Sequence, residues 1–587
     1  MRLFPVLPAA FCAAIGFAAD PHAAWADSPV VLDGADDDMR DAIRDLLPDR
    51  EAPTTLFEAE RIAEEAAARA RVWLRSEGYY AATVEPIAQE APAQAQLLIA
   101  PGVRFTFTAP EITYLDGAPN QPADDAARRA LAAVEAGAPA RAAAVLEAEA
   151  AVLRALQQAG YADAAAGERR VVVDHAATTV STDLRINAGA LARLGQVRAE
   201  PADILRPGYV EGLANWDRGE LYSPEAISRL RRDVSATGAV SRVSTRLAEP
   251  DAEGVRDVVL EIEPAKRNAY ELGGGYSTTE GLIVEAEWTR RNLTGRADAL
   301  TVAANVGEVQ QELSARLARP HAAGLGHTLT FGVAAEREAI DAYTREGLSV
   351  FASVDASPRL RVGHSYGLEL AADHYDDIAS GPRDAIVLSG FYVSRHDTTN
   401  FSLDPRDGSI VQVGIEPSVS SGDETLGFAR LVGEGRLYES FGREDSLTLA
   451  ARIRAGWLEA VSGSADNVPP DRRFYAGGGG SVRGYEYNSI YPRERDLMGL
   501  TPGGQGLLEG SLEARWRITD TWGAAAFVDA GAAFDDWADA ADLSVGVGFG
   551  VRYNLGFAPL RIDVAFPLDD AFAQDDYALY ISLGQAF

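Results

Sequence analysis

Cysteine is nearly absent from this sequence, and its scarcity narrows the chemistry open to the chain. The 587 residues include one cysteine, Cys12, and 7 histidines that are scattered along the chain. A disulfide framework and a Cys/His metal site each need several such residues at short spacings, so neither is expected. The Gly-x-Ser-x-Gly motif of serine hydrolases is missing as well. We therefore expect no catalytic residue, no metal and no cofactor.

Basic residues are also in short supply relative to acidic ones. Lys+Arg 54 against Asp+Glu 87 gives a formal net charge of −33. Such a surface repels phosphate backbones and repels other copies of itself. Nucleic acid is therefore excluded as an expected partner.

Long apolar runs are missing except at the start of the chain. Arg2 precedes an apolar run, and Ala24-Trp25-Ala26 supplies small residues at a cleavage position, so residues 1–26 are predicted to be a signal peptide. After residue 26 no stretch reaches the about 18 apolar residues of a membrane-spanning helix. That excludes such a helix, but a closed membrane barrel leaves a much weaker sequence signal and stays possible.

Three segments of the N-terminal half resemble one another. Each closes a helical pattern at a glycine and then enters a strand pattern, and the glycines are Gly78, Gly160 and Gly238. Glycine fills the left-handed position that ends a helix without steric cost. Around each glycine the order is strand, helix, helix, strand, strand, and repetition at this period indicates tandem modules. The sequence predicts three small α+β domains at residues 27–103, 104–189 and 190–265, which act either as binding modules or as spacers.

From residue 266 the pattern changes to strands without helices. Leu560, Ile562, Val564 and Phe566 alternate with more polar neighbours, and similar segments recur at about twenty residues per strand and loop. We count about sixteen segments, each near the about ten residues that cross a membrane. Residues 266–587 are therefore predicted to form a transmembrane antiparallel β-barrel. A soluble β-sandwich is the alternative reading of the same alternation.

A glycine-rich stretch interrupts these strands. Residues 473–485 read Arg-Phe-Tyr-Ala-Gly-Gly-Gly-Gly-Ser-Val-Arg-Gly-Tyr. Four consecutive glycines do not suit the interior of a helix or a strand, because each loses conformational entropy without burying a side chain. No Lys-Ser/Thr pair and no helical pattern follow them, so a phosphate-binding loop is not indicated. The stretch predicts a long loop that directs Arg483 to a specific place, or else a mobile surface loop.

Several short motifs of the chain resemble those of a known family. Val482-Arg483-Gly484-Tyr485, Phe527-Val528-Asp529-Ala530-Gly531 and Arg291-Asn292-Leu293-Thr294-Gly295 match motifs of the BamA/TamA superfamily of outer-membrane assembly factors, and the terminal Phe587 matches its last strand. Within that superfamily the chain resembles the TamA-like members. The resemblance implies periplasmic POTRA domains of β-α-α-β-β order, followed by a sixteen-stranded barrel in the bacterial outer membrane.

The resemblance also implies roles for particular residues. Arg483 would fold into the barrel and pair with acids of the lumen wall, Asp529 and Glu509, and so anchor the loop. The barrel would close at a seam between its first and last strands, marked by Gly273, Gly274 and Gly275 on one side and by Leu583 and Phe587 on the other. Adjacent glycines weaken the pairing of the first strand.

The implied function is assembly by strand pairing at that seam, without enzymatic activity. Client outer-membrane proteins, autotransporters included, a TamB-like periplasmic protein anchored in the inner membrane, and outer-membrane lipid would be the partners. A pore that exports one specific protein, as in two-partner secretion, is the alternative function, and a scaffold across the periplasm is a third.

Overall fold

The computed structural model describes residues 30–356, 362–378, 381–422, 424–442, 445–569 and 571–587. The predicted signal peptide lies outside these residues. The described chain divides into two compact units. One contains the residues up to Arg193 together with Glu220–Pro224, and the other contains Leu194–Gly219 and Glu225–Phe587.

The first sheet of the first unit has the order β1-β3-β2 and packs against two helices. The elements are β1 (Val30–Asp33), α1 (Asp37–Asp45), α2 (Leu56–Ser76), β2 (Thr83–Glu90) and β3 (Ala93–Ala100). Both helices begin where a side-chain oxygen accepts a backbone N–H, from Met39 at Asp36 and from Glu58 at Thr55. The side of α2 that carries Ile62, Ala66 and Leu74 is buried against the sheet.

The second sheet is organised around one central strand. The elements are β4 (Thr106–Phe107), β5 (Glu111–Tyr114), α3 (Gln121–Arg129), α4 (Ala142–Gln158), β6 (Ala165–Ala166), β7 (Arg170–Asp174) and β8 (Thr179–Asn187). Strand β8 pairs in parallel with β4 and β5 and antiparallel with β6 and β7. Strand β8 therefore has two strands along each of its edges, whereas the repeat pattern predicts one strand along each edge.

The third sheet belongs to the second unit. Its elements are β9 (Arg193–Glu200), α5 (Pro207–Glu211), α6 (Pro224–Ala236), β10 (Val240–Leu247) and β11 (Val255–Pro264), and the strand order is β10-β11-β9. The three repeat glycines have the positive φ expected of left-handed caps, +95° at Gly78, +98° at Gly160 and +68° at Gly238. The domain boundaries assigned from the sequence stay predictions.

A closed antiparallel barrel of sixteen strands completes the second unit. The strands are β12 (Asn268–Ser277), β13 (Gly281–Arg291), β14 (Ala299–Gly307), β15 (Gln310–Pro320), β16 (His327–Ala339), β17 (Tyr343–Ala356), β18 (Val362–Asp377), β19 (Gly381–Asp397), β20 (Gly408–Ser421), β21 (Thr425–Phe441), β22 (Leu447–Ser462), β23 (Gly506–Arg517), β24 (Trp522–Phe534), β25 (Ser544–Asn554), β26 (Pro559–Pro567) and β27 (Ala578–Leu583). The predicted fold class, small α+β domains followed by a sixteen-stranded barrel, is confirmed, and the β-sandwich reading is wrong.

A short helix, α7 (Glu494–Leu497), lies in the connection between β22 and β23. Among the residues that the structure describes, no helix is both long enough and apolar enough to cross a membrane.

The alternation along each barrel strand separates an apolar outer face from a polar lumen. On β23, Leu512 and Trp516 are 60% and 62% exposed on the outside, whereas Glu513 is 2% exposed inside. Ten-residue alternation of this kind gives a barrel an apolar girdle and a polar interior. The lumen is therefore where charged side chains of neighbouring strands can meet.

The turn between β13 and β14 contacts the third domain. The side-chain amide of Asn292 donates to the carbonyl of Ile204 at 2.7 Å, and the N–H of Arg206 donates to the carbonyl of Gly295 at 2.7 Å. Asn292 has a φ of +53°, and its side-chain oxygen accepts from the N–H of Ala297 at 3.1 Å. The Asn292 side chain thus fixes both the shape of the turn and its contact with the third domain.

Candidate functional site

The connection between β22 and β23, residues 463–505, folds into the barrel instead of away from it. Arg473 and Arg483, two of its longest polar side chains, are each 1% exposed, and Val482 and Tyr485 are buried with them. Guanidinium groups are found at such depth only when carboxylates or carbonyls receive their donors. We call this connection loop 463–505, and its contacts with the lumen wall define the candidate site.

Arg483 is the most heavily bonded residue of the loop. Its Nε and Nη2 donate to the two carboxylate oxygens of Asp529 at 2.6 and 3.0 Å, and its Nη1 donates to Glu513 at 2.8 Å and to Asp563 at 3.3 Å. Its carbon Cζ lies 3.4 Å from the ring centroid of Phe527. A planar five-donor fork can serve several carboxylates at once, which a lysine cannot do.

The predicted pairing of Arg483 with Asp529 is present in the structure, but the predicted pairing with Glu509 is wrong. Glu509 instead accepts from the Ser481 hydroxyl, and its nearest guanidinium groups are those of Arg452 and Arg454 at 3.5 Å. Glu513 takes the place assigned to Glu509. Ser511 pairs with Asp529 across β23 and β24, so positions 509 and 513 flank that pair equally. The strand pattern cannot choose between them, because the path of the loop decides.

Glycines on both sides of this contact allow the loop to approach the wall. Gly484 has a φ of +104°, and its N–H donates to the Tyr580 hydroxyl at 3.0 Å. A Cβ added to Gly546 of β25 would lie 1.9 Å from the carbonyl oxygen of Arg483. Gly546 was not among the predicted site residues. The signal that could have found it is the run of glycines on the inner face of β25, which leaves space for the loop.

Further contacts hold the rest of the loop. Tyr485 donates its hydroxyl to Asp569 at 2.6 Å, and Gly479 donates its N–H to Glu280 at 2.8 Å. At the start of the loop, Asp471 accepts from the Tyr375 hydroxyl at 2.7 Å, and Arg472 donates to Glu416 at 3.0 Å. The loop is therefore fixed to opposite parts of the wall and is not the mobile surface loop of the alternative reading.

The barrel closes through few residue pairs. Strand β12 pairs with β27 through Gly275–Ser582, Tyr276–Ile581 and Ser277–Tyr580, whereas its other edge pairs with β13 through ten residue pairs. Of the predicted seam residues, only Gly275 is therefore paired across the seam. In the described chain, Gly273 and Gly274 have partners on β13 alone.

The other two predicted seam residues, Leu583 and Phe587, lie beyond the part of β27 that pairs with β12. Leu583 is paired with Leu560 of β26. Phe587 was expected in the last strand, but the strand ends at Leu583. Its ring is buried in the lumen beside Tyr438 and Ala450, so its assignment to the seam ladder is corrected. Gly584, with a φ of +86°, makes the turn that takes the chain inward.

Comparison with known proteins identifies the architecture. The model of the Omp85 superfamily domain matches residues 292–587. The outer membrane protein assembly factor BamA of Nitratidesulfovibrio vulgaris is 26% identical over 390 residues, which cover 63% of this chain and 48% of that protein. The chain thus spans about half the length of this curated relative.

The solved structure of a BamA shows the same fold. The crystal structure of BamA from Haemophilus ducreyi lacking POTRA domains 1–3 superimposes with a TM-score of 0.68 at 17% identity, over 82% of this chain and 100% of that chain. CdiB from Escherichia coli superimposes with a TM-score of 0.47 at 15% identity, over 94% of this chain and 98% of that one.

The homology to BamA and the barrel together place the second half of the chain in the bacterial outer membrane and the N-terminal domains in the periplasm. The domain match, the sixteen-stranded barrel and the lumenal arginine loop all lead to the same assignment. The chain belongs to the Omp85 superfamily.

Proposed function

We propose that this protein is a non-enzymatic outer-membrane assembly factor that helps other β-barrel proteins, autotransporters included, to fold into or cross the membrane. The observation that carries the proposal is the short seam. Three residue pairs join β12 to β27, against ten that join β12 to β13. Each missing pair leaves backbone donors and acceptors of β12 available to another strand.

The free part of β12 runs from Asn268 to Gly274. Its outward side chains Tyr270 and Leu272 are 75% and 83% exposed, which suits contact with lipid or with an incoming strand. A client strand that adds to this edge would satisfy its own backbone groups inside the membrane, where an unpaired group costs several kcal/mol. The three adjacent glycines would lower the cost of exchanging one partner strand for another.

The partners follow from the same reasoning. The periplasmic domains have open sheet edges, β1 and β2 in the first sheet and β10 in the third, which can accept a strand. We propose a TamB-like protein anchored in the inner membrane as the periplasmic partner, and a TamA-like role for this chain. Client outer-membrane proteins and outer-membrane lipid are the other partners.

A reversible lock across the seam tests the proposal. Tyr276 and Ile581 face each other in the ladder, so cysteines at both positions have the spacing of a disulfide. We expect the oxidised Tyr276→Cys/Ile581→Cys protein to insert client barrels into liposomes at least about tenfold more slowly, and a reductant to restore the rate, because the disulfide stops a client strand from displacing β27 and pairing with the whole length of β12. Full insertion by the oxidised protein would overturn the proposal.

A matched control uses the other edge of the same strand. Tyr276 also faces Leu282 of β13, so the Tyr276→Cys/Leu282→Cys disulfide adds the same chemistry without closing the seam. This variant should keep its activity when oxidised. A different outcome is that the unlocked protein inserts no client barrel but transports one soluble protein. If the seam lock leaves that transport intact, the alternative of a dedicated export pore is supported.

A further inference from the structure

Two of the carboxylates that bind Arg483 also bind other arginines. Glu513 receives Arg483 on one oxygen, and its other oxygen accepts from Arg515 at 2.9 Å and from Arg552 at 3.2 Å. Asp563 likewise accepts from Arg552, and Arg561 lies 3.7 Å from it. The loop anchor is therefore one corner of a larger buried cluster.

The three other arginines of the cluster contact the end of the described chain. Arg515 donates to the carbonyl oxygen of Phe587 at 3.0 Å, Arg552 donates to the side chain of Gln585 at 2.9 Å, and Arg561 donates to the Ser582 hydroxyl at 3.0 Å. We call residues 585–587 the inner segment. Its contacts with the cluster hold it inside the lumen.

The position of the inner segment limits how far the seam can pair. The seam register places Leu583 opposite Gly274 if pairing were to continue beyond Gly275–Ser582. Instead the chain turns at Gly584, whose N–H donates to the carbonyl of Pro559 at 2.8 Å, and Gln585 donates its N–H to Leu403 at 3.2 Å. A segment that is held inside cannot extend the ladder to β12.

The side chains of the cluster carry more positive than negative charge. Four arginines meet three carboxylates, and every member is less than one-tenth exposed: Arg483, Arg515, Arg552, Arg561, Glu513, Asp529 and Asp563. Repulsion between cations is strong where water is excluded. If Arg483 leaves, the shared carboxylates turn to the remaining arginines, and the total repulsion falls.

We infer that loop 463–505 and the inner segment are antagonistically coupled through Glu513. Withdrawal of Arg483 from the lumen strengthens the hold of Arg515 and Arg552 on the inner segment. The part of β12 from Asn268 to Gly274 then stays unpaired with β27. Release of the inner segment strengthens the hold on the loop. Glu513 is the positioning residue of this linkage, because within the described part of the chain it is the one carboxylate that contacts Arg483, Arg515 and Arg552 together. The inference holds whether or not the protein inserts client barrels.

A single-cysteine reporter tests the coupling. Cys12 is the one native cysteine, so Ala586→Cys in a Cys12→Ala background places one thiol in the inner segment of the full chain. We expect Arg515→Met to speed alkylation of this thiol about tenfold and Arg483→Met to slow it about fivefold, within the range of measured couplings. An unchanged or faster rate in Arg483→Met overturns the inference.

The reciprocal measurement places the thiol in the loop. Ala476 of the loop is 0% exposed, so the reactivity of the thiol in Ala476→Cys reports withdrawal of the loop from the lumen. Linkage requires that Arg515→Met slow alkylation there by the same factor of about five. A loop thiol that reacts faster in Arg515→Met contradicts antagonism and indicates a generally loosened lumen.

Glu513→Gln and Glu509→Gln form a matched pair of controls on the same face of β23. With Glu513→Gln, Arg515 loses its carboxylate, so the inner segment should react fast whether residue 483 is Arg or Met. Glu509→Gln disturbs Ser481 of the loop but no arginine of the cluster, and should change the inner-segment rate less than about twofold. Equal effects of the two variants overturn the role of Glu513.

Heat-modifiable migration on gels verifies that each variant is folded. If Glu513→Gln fails to fold, the comparison of Arg483→Met with Arg515→Met is sufficient to test the coupling.

Discussion

Arg483 donates to Asp529 with three N–H groups, two from its guanidinium and one from its own backbone at 3.3 Å. One carboxylate therefore fixes both the side chain and the main chain of the same loop residue. Bidentate arginine–carboxylate pairs are stronger than single hydrogen bonds and are directional. Because burial of both charges carries a desolvation cost, the pair sets the position of the loop more than it stabilises the barrel.

The first prediction is that Arg483 and Asp529 act as one unit. Arg483→Ala and Asp529→Ala should each release the loop, at a cost of about 3–5 kcal/mol in loop docking, because each leaves a buried charge without its partner. The double mutant should be little worse than either single mutant. Protease cleavage within residues 477–480 measures the release in each variant.

Arg483→Lys serves as the control for geometry. A lysine carries the same charge but cannot bond Asp529 through two nitrogens while also reaching Glu513, so it should restore little docking. If the losses of the two single mutants simply add, or if Arg483→Lys docks the loop fully, Arg483 is not the anchor.

Much of the fold was predictable because each element has a local signature. Gly78, Gly160 and Gly238 mark helix ends by their freedom to adopt positive φ, and the alternation around Leu560–Phe566 marks a strand with one face toward lipid. Both depend on residues close together in the chain. The extra strands β5 and β6 of the second domain were missed, since they are only four and two residues long and carry no periodicity.

The candidate site was predictable only in part, for a different reason. Arg483 and Asp529 lie in recognisable motifs, but the choice of Glu513 over Glu509 depends on how loop 463–505 crosses the lumen. The inward turn at Gly584 was equally hidden, because Phe587 continues the apolar alternation of β27. Contacts between residues far apart in sequence decide both features, and no short pattern encodes them.

The second prediction concerns the two kinds of domain. Residues 27–265 should be soluble with mixed α/β circular dichroism, because the three sheets bury their own cores. Residues 266–587 should require detergent and show heat-modifiable migration, because their outward face is aliphatic. A soluble, folded and monomeric 266–587 fragment would contradict the membrane barrel.

The third prediction is a pH dependence in the second domain. Asp116 accepts the N–H groups of Gly189 and Ala188 at 2.8 Å each, and the bond from Gly189 is the main cause that lowers the pKa of this carboxyl below its usual value. A depressed folded-state pKa adds stability above the unfolded-state pKa, and that stability is lost as pH falls through the folded-state value. Because Asp116 is solvent-exposed, the contribution at pH 7 should be only about 1 kcal/mol.

Asp116→Ala measures this contribution directly. Thermal unfolding of residues 27–265, followed by circular dichroism, should show the variant less stable than wild type at pH 7 and equally stable once Asp116 is protonated. A difference that persists unchanged at acid pH would assign the effect to packing and not to the charge.

The fourth prediction concerns the contact between the third domain and the barrel. Asn292→Gly removes the bonds to Ile204 and Ala297 but tolerates the φ of +53°, whereas Asn292→Ala also adds about 1 kcal/mol of backbone strain. Both should raise protease cleavage between residues 200 and 225, with alanine the worse. Leu293→Ala, at the neighbouring exposed residue, should not raise this cleavage. Equal cleavage in all three variants would show that the contact between the domain and the barrel does not depend on the Asn292 side chain.

The last prediction is that the loop has a second, independent anchor at Asp471. Its carboxylate accepts from the Tyr375 hydroxyl at 2.7 Å and lies 3.6 Å from Arg345, on β18 and β17, whereas Arg483 is held by β23, β24 and β26. Asp471→Asn keeps the shape and one acceptor but removes the charge, and should cost about 2 kcal/mol in docking of the loop's first half. Cleavage near residues 465–469 should rise while residues 477–480 stay protected. Since the two anchors share no partner among the residues that the structure describes, Asp471→Asn and Arg483→Ala should add within about 0.5 kcal/mol, unlike Arg483→Ala and Asp529→Ala. If Asp471→Asn also exposes residues 477–480, the loop is released as a single piece, and Asp471 and Arg483 belong to one cooperative anchor.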